Sequence, residues 1–170
     1  MAVAGSNRHG DSDPPAPGGP NGPNGRPGTG GRLNFVIKSD LIEGREVQRQ
    51  ILQEVESCGY TGGNFFAINL SLEEALVNAI KHGNRLDPQK LVRVEATITS
   101  REVEIFIEDE GPGFDRSSVP DPTAVENLEK CSGRGILLIE AYMTHVTWDR
   151  GGRRLRMVKI NEPESHPQKR

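Results

Sequence analysis

Hydrophobic and polar residues alternate over a short stretch near the middle of the chain. Val103, Ile105 and Ile107 alternate with glutamates, and this period of two predicts a half-buried β-strand over residues 101–108. A short polar turn separates it from another predicted strand over residues 91–99. Two strands joined in this way most simply form an antiparallel hairpin.

A strand and two helices are predicted before this hairpin. The strand covers residues 33–38. From Asp40, whose side chain suits a helix N-cap, apolar residues recur at helical spacing until Gly59 stops the run. A second helical segment begins at residues 62–64 and ends at Gly83, because glycine commonly terminates helices.

After the hairpin, the pattern predicts a long connection, a third helix and a last hairpin. Residues 115–132 are polar and show little periodicity. We interpret them as a lid, because a loop of about 18 residues is otherwise unusual inside a compact domain. The third helix continues from Ile136, and the last hairpin joins residues 145–149 to residues 154–160.

The two ends of the chain differ from the middle in composition. Residues 1–32 contain nine Gly and six Pro with hardly an apolar side chain, so they offer too little apolar surface to offset the entropy of ordering. We therefore expect a disordered tail over residues 1–32, one domain over residues 33–160 and a polar tail over residues 161–170.

Composition narrows the class of protein. The formal net charge is −3, without the basic footprint of a nucleic-acid-binding protein. No apolar run approaches the roughly 18 residues of a membrane span, and the N-terminus has no signal-peptide pattern. Cys58 and Cys131 lack metal-type spacing. We expect a cytoplasmic protein that binds neither nucleic acid nor a membrane directly.

Asp109 is the first candidate for chemistry. It continues the buried parity of the predicted strand and is followed at once by Gly111-Pro112-Gly113. A buried carboxylate needs partners, a ligand with an N–H donor would supply one, and glycines let a ligand approach closely. The alternative is that Asp109 accepts hydrogen bonds from amides of its own turn, as aspartate commonly does.

A polar stripe on the second helix is the next candidate; its members are Glu74, Asn78, Lys81 and His82. A carboxylate and a carboxamide one turn apart suit a hydrated Mg²⁺, or Glu74 acts as a base while Asn78 binds the metal. Two alternatives stay open. Ser71 and Glu74 have the spacing of a capping box, and the stripe also fits a solvated face.

The third candidate is Ser132-Gly133-Arg134-Gly135 at the start of the third helix. Glycines there expose backbone N–H groups at the positive end of the helix dipole, which suits a phosphate. Glycines before a helix are also common without any ligand. The segment is neither a P-loop nor a Rossmann fingerprint, because it lacks Gly-Lys-Ser/Thr and a strand directly before it.

Taken in chain order, the three stretches resemble the ATP site of the GHKL superfamily, named for gyrase, Hsp90, histidine kinases and MutL. Residues 74–83 look like its N box, residues 109–115 like its first glycine box and residues 133–138 like its second. The small size and the Glu-Ala-x-x-Asn-Ala wording most resemble the anti-sigma-factor serine/threonine kinases of the RsbW and SpoIIAB type. The resemblance covers residues 33–160.

This resemblance implies a fold and a set of roles. The fold would be the Bergerat α/β sandwich, with a mixed, mostly antiparallel sheet, helices on one face and an ATP lid. Asn78 would bind the Mg²⁺ that bridges the phosphates, Glu74 would orient or deprotonate the attacking hydroxyl, and Asp109 would accept a hydrogen bond from the adenine amino group. The remaining nucleotide contacts would come from His82, Gly111, Gly113, Phe114, Lys130, Gly133, Arg134, Gly135 and Ile136.

The resemblance also implies a function. The protein would be a kinase that phosphorylates a STAS-type anti-anti-sigma protein and, in its other state, sequesters a sigma factor; such kinases are commonly homodimers. One departure favours an alternative, a non-catalytic module gated by ATP. Cys131 stands where the sporulation kinases have a basic residue, and Lys130 is one place further from the glycine box.

Overall fold

A computed structural model describes residues 30–113 and 134–162 of the chain. In chain order, the helices and strands are β1 (Gly31–Lys38), α1 (Leu41–Ser57), α2 (Gly62–Val77), β2 (Leu91–Ile98), β3 (Glu102–Asp109), α3 (Arg134–Tyr142), β4 (His145–Asp149) and β5 (Arg154–Ile160). A π-helical turn, Asn78–Gly83, continues α2, and a short 3-10 turn joins β4 to β5. Both predicted hairpins are confirmed.

The five strands form one sheet in the order β1-β2-β3-β5-β4. Every neighbouring pair is antiparallel, so the expectation of a mixed sheet is wrong for the described strands. The reason is topological. The connection through α3 leads from β3 to β4, which runs in the same direction, but β5 pairs between them and leaves no parallel neighbours.

The helices cover one face of the sheet. The residues of β2 and β3 that point towards them are almost completely buried: Val92, Val94, Ala96, Ile98, Val103, Ile105 and Ile107. Val47, Ile51 and Val55 of α1 belong to the same cluster. Because burial of a large aliphatic side chain contributes about 1.5–3 kcal/mol, this interface fixes the strand register and places Asp109 at the end of β3.

The Asp40 side chain caps α1, as predicted. Its Oδ1 accepts hydrogen bonds from the backbone N–H groups of Ile42 at 2.6 Å and Glu43 at 3.1 Å. These are two of the N–H groups that a helix start leaves without an intrahelical partner. The helix direction is therefore set locally, before its apolar face packs on the sheet.

Helix α2 decides one of the alternatives for Glu74. The helix runs from Gly62 to Val77 without interruption, and Ser71 lies fully buried within it. A residue in a helix interior cannot serve as its N-cap, so the capping-box interpretation is excluded.

Beyond Val77 the helix widens into the π-turn, where the Asn84 N–H donates to the Ala79 carbonyl at 2.8 Å. Single π-turns occur frequently at functional sites.

The described domain extends slightly beyond its predicted limits. β1 begins at Gly31 instead of residue 33, because Gly31 and Arg32 continue the ladder with Ile98 and Thr97 of β2. At the other end, the Asn161 N–H donates to the Arg101 carbonyl at 2.8 Å. The predicted lid and most of both predicted tails lie outside the described residues.

Within the described ranges, none of the helices combines the length and the apolar character needed to cross a membrane.

Candidate functional site

Asp109, the last residue of β3, lies half-buried between the sheet and the end of the π-turn. Its backbone N–H donates to the Arg153 carbonyl at 3.0 Å, and its Oδ1 accepts a hydrogen bond from the Gly111 N–H at 2.8 Å. One carboxylate oxygen is thus used in its own turn. Among the described residues, none donates a hydrogen bond to Oδ2, which lies against Gly83.

Two glycines allow the backbone to pack closely against this carboxylate. A Cβ on Gly83 would lie 2.5 Å from the Asp109 carboxyl carbon and 2.6 Å from both of its oxygens. A Cβ on Gly111 would lie 2.5 Å from the carbonyl carbon of Gly83 and 2.7 Å from Asp109 Oδ1. Since real Cβ atoms do not make such short contacts, Gly111, which would meet backbone, requires glycine, and a Cβ on Gly83 would displace the Asp109 carboxylate. Gly83 therefore does more than end the helix, which was all that sequence reasoning assigned to it.

The electrostatic environment of Asp109 disfavours its charged form. Burial raises the pKa of the Asp109 carboxyl above its ordinary value of 3.8, because an apolar surrounding penalises charge. The hydrogen bond from Gly111 and the positive charges of Arg153 and Lys90 oppose this effect, whereas Glu108 adds to it. A ligand that donates a hydrogen bond to Oδ2 would stabilise the charged form further.

We expect Asp109→Asn to change the pH dependence of stability. When the pKa of an aspartate is raised in the folded state, the folded protein binds more protons than the unfolded chain, and stability falls as pH rises through that interval. Asparagine removes this loss and keeps an oxygen for the Gly111 N–H. The free energy of unfolding of the variant, relative to wild type, should therefore increase as pH rises from 3.8, the ordinary pKa of aspartate, through the raised pKa of folded Asp109, as measured by urea denaturation. A difference independent of pH would contradict the raised pKa.

A second cluster forms where α3 crosses the end of α2. Glu74 and Asn78 are half-buried and one helical turn apart. A Cβ on Gly135 would lie 3.3 Å from Asn78 Nδ2 and 3.4 Å from the carboxyl carbon of Glu74, with Glu74 Oε2 closer still. The first turn of α3 therefore rests directly on the carboxylate and carboxamide pair. This excludes a purely solvated face for Glu74 and Asn78.

The arrangement at this second cluster suits a metal-bound phosphate. Carboxylate and carboxamide oxygens are ligands that Mg²⁺ accepts, and Mg²⁺ usually keeps water and phosphate oxygens as its other ligands. Among the described residues, no group of three or more His, Cys, Asp and Glu side chains is placed to hold a metal alone. Asn78, which lies beside Glu74 below the N-terminus of a helix, thus fits a Mg²⁺ that arrives with its ligand.

Some of the other predicted site residues lie within the described ranges, and the rest lie outside them. Gly113 has φ +77 and lies against the carbonyl of Gly151, so the first glycine box packs on the β4–β5 turn. His82 and Arg134 are exposed and Ile136 is half-buried at the start of α3. The predicted residues that lie outside the described ranges are Phe114, Lys130 and Gly133, and Cys131 lies outside them as well.

Sequence reasoning missed Asn84. This residue is completely buried, and its side-chain oxygen accepts a hydrogen bond from the Glu110 N–H at 2.7 Å, directly beside Asp109. An asparagine after a helix-ending glycine looks like an ordinary turn residue. The available signal was that Gly83-Asn84 immediately follows the polar stripe of the second helix.

Comparison with known proteins places this geometry in context. A family model described as "Histidine kinase-like ATPase domain" matches residues 37–159. The chain is 37% identical over 79 residues to a protein of Clostridium perfringens named anti-sigma F factor, covering 45% of this chain and 56% of that protein. A protein of the same name from Clostridium kluyveri is 31% identical over 99 residues, covering 55% of this chain and 68% of the relative.

A further relative named anti-sigma F factor, from Oceanobacillus iheyensis, is 37% identical over 82 residues, which are 46% of this chain and 56% of that protein. The chain thus spans little more than half the length of two of these relatives. Among solved structures, the RsbU and RsbW domains of a Mycobacterium tuberculosis protein match with a TM-score of 0.52 and 15% identity, covering 78% of this chain and 33% of that one. At this identity the match supports the fold alone.

Proposed function

Because the chain belongs to the histidine kinase-like ATPase domain family, whose model matches residues 37–159, we propose that it is an ATP-dependent serine/threonine-protein kinase that acts as an anti-sigma regulatory factor. In this proposal it phosphorylates a STAS-type anti-anti-sigma protein and sequesters a sigma factor. The observation that carries the proposal is the packing of Gly135 on Glu74 and Asn78, since it brings a helix N-terminus over a candidate base and a candidate metal ligand.

Each cluster has a proposed role in phosphoryl transfer. Asp109 Oδ2 accepts a hydrogen bond from the adenine amino group, Gly111 lines the base pocket, and Gly83 packs closely against the Asp109 carboxylate. The backbone N–H groups at the start of α3, with Gly133, Arg134 and Gly135, hold the phosphates. Further nucleotide contacts are proposed for His82, Gly113, Phe114, Lys130 and Ile136.

The proposed chemistry depends on position and charge. Asn78 would hold Mg²⁺, which supplies neutralisation of the phosphate charge. Glu74, which packs against the start of α3, would orient or deprotonate a serine hydroxyl that approaches the terminal phosphate. Phosphoryl transfer asks a protein mainly for positioning and electrostatic stabilisation, and the two clusters offer both.

The partners follow from the relatives' names and from the sheet. Proteins named anti-sigma F factor support a sigma factor as the sequestered partner, and a cytoplasmic location is proposed on the same ground.

A homodimer is also proposed. β1 lies at an end of the described sheet, where an unpaired strand edge can pair with another chain. Light scattering should give the mass of two chains, and the mass of one chain would exclude the homodimer.

The function is tested with the purified protein as bait in lysate of its source organism, loaded with Mg·ATP or Mg·ADP. Mass spectrometry identifies the retained proteins and their phosphoserines. We expect a sigma factor or a STAS protein to be retained, and the STAS protein to gain phosphoserine with Mg·ATP. Retention that depends on nucleotide without any phosphorylation would favour the alternative, the ATP-gated binding module, which Cys131 suggests. Absence of both would exclude the proposal.

A further inference from the structure

Asn84 connects three separate elements behind the Asp109 pocket. Its Nδ2 donates hydrogen bonds to Ser39 Oγ at 2.8 Å and to the Leu91 carbonyl at 2.9 Å. Its Oδ1 accepts one from the Glu110 N–H at 2.7 Å. The side chain is 0% exposed, and both N–H groups and the oxygen of its carboxamide are used.

The hydrogen bond from the Glu110 N–H to Asn84 lies directly beside Asp109, the residue proposed to bind adenine. The Glu110 N–H belongs to the peptide group that directly follows Asp109, and the next N–H, of Gly111, donates to Asp109 Oδ1. We propose that Asn84 is a positioning residue that fixes this turn so that Asp109 Oδ2 faces the adenine site. The inference rests on the proposed function, because that function assigns adenine to Asp109.

The backbone departs from regular helix geometry on both sides of Asn84. The π-turn inserts an extra residue before it, so that the Asn84 N–H bonds to Ala79, five residues earlier. Arg85 and Leu86 then both adopt φ near +58, a left-handed conformation that residues with a Cβ rarely take. The same path places Gly83 against the Asp109 carboxylate. One short segment therefore packs against the Asp109 carboxylate through Gly83 and holds the turn that follows it through Asn84.

A purely structural role for Asn84 would act through its other two bonds. Ser39 and Leu91 lie at the start of α1 and of β2, and the Ser39 hydroxyl also donates to the Lys90 carbonyl at 2.9 Å. Ser39→Ala removes one of the two acceptors of Asn84 Nδ2 but leaves the bonds of Asn84 to the Leu91 carbonyl and to the Glu110 N–H. It is therefore the matched control for Asn84→Ala, which removes all three bonds.

The test measures Mg·ATP affinity by calorimetry, thermal unfolding, and hydrogen exchange of the Gly111 amide. We expect Asn84→Ala to weaken Mg·ATP binding about tenfold and to speed exchange at Gly111, because one neutral hydrogen bond is worth about a factor of ten. Ser39→Ala should lower the unfolding temperature while affinity stays within about twofold and Gly111 stays protected. Equal affinity losses in the two variants, or unchanged Gly111 exchange in Asn84→Ala, would refute the positioning role.

Asn84→Asp provides a second route if the alanine variant does not fold. It has the same shape and keeps an oxygen for the Glu110 N–H but loses the amide donors, so Gly111 should stay protected although stability falls. Fast exchange at Gly111 in this variant would overturn the inference. If the wild-type protein binds neither Mg·ATP nor Mg·ADP, the proposed function fails, whereas the exchange measurements still decide whether Asn84 positions the turn.

Discussion

Glu74→Ala is expected to lower the rate of phosphoryl transfer to the STAS partner by about 10²- to 10⁴-fold, the usual contribution of a positioned general base. Glu74 is the candidate base that lies beneath the first turn of α3. Nucleotide affinity should stay equal or increase, because a carboxylate beside bound phosphates repels them, and Asp109 and Asn78 are unchanged. Single-turnover phosphorylation and calorimetry with Mg·ATP measure the two quantities separately.

The neighbouring residue supplies the control. Glu73 lies on the same helix and carries the same charge, but it is exposed. Glu73→Ala should therefore transfer phosphate at the wild-type rate. Undiminished transfer by Glu74→Ala would remove the role given to Glu74, and an equal loss in both variants would attribute the effect to overall charge or to helix stability.

Much of the fold was predictable because its signals are local. The last hairpin has the bounds that the sequence predicted, His145–Asp149 and Arg154–Ile160. Its alternating residues are interrupted by adjacent glycines, which mark the turn within the sequence itself. Likewise, the N-cap of α1 follows from Asp40 alone, since the hydrogen bonds reach only two and three residues ahead.

Other features were not predictable because they depend on residues distant in the sequence. β1 gains Gly31 and Arg32 only by pairing with β2, some 65 residues later. The π-turn has no local pattern of its own. Asn84, which follows the π-turn, accepts a hydrogen bond from the N–H of Glu110, 26 residues away in the sequence.

The candidate site divides in the same manner. Motif order in the sequence singled out Glu74, Asn78, Asp109 and Gly135 as candidates, but their contacts became known only from the tertiary structure. The alternatives for Glu74 were decided by the place where α2 begins and by the packing of Gly135. For Asp109, the structure shows the turn interpretation, since Oδ1 accepts a hydrogen bond from the Gly111 N–H, and the role of Oδ2 towards a ligand stays a prediction.

Asp109→Asn is expected to weaken ATP binding by about 100-fold or more. The carboxylate has two acceptor oxygens, one for the Gly111 N–H and one proposed for the adenine amino group. A carboxamide has one acceptor, so its NH₂ group must face a donor at either position. Losing a charged hydrogen bond and leaving a donor unpaired costs about 3 kcal/mol together, which corresponds to about two orders of magnitude in affinity. Calorimetric titration with Mg·ATP measures the loss.

The matched control is Glu102→Gln, which removes one charge from the opposite, exposed end of β3 and should leave affinity for Mg·ATP unchanged.

Affinity for Mg·ATP and the free energy of unfolding are expected to respond to Asp109→Asn in opposite directions. Because burial raises the pKa of Asp109, the ligand-free variant should gain stability relative to wild type towards neutral pH while it loses affinity for ATP. Such a pair of results cannot come from unfolding, and wild-type affinity in Asp109→Asn would mean that adenine is recognised elsewhere.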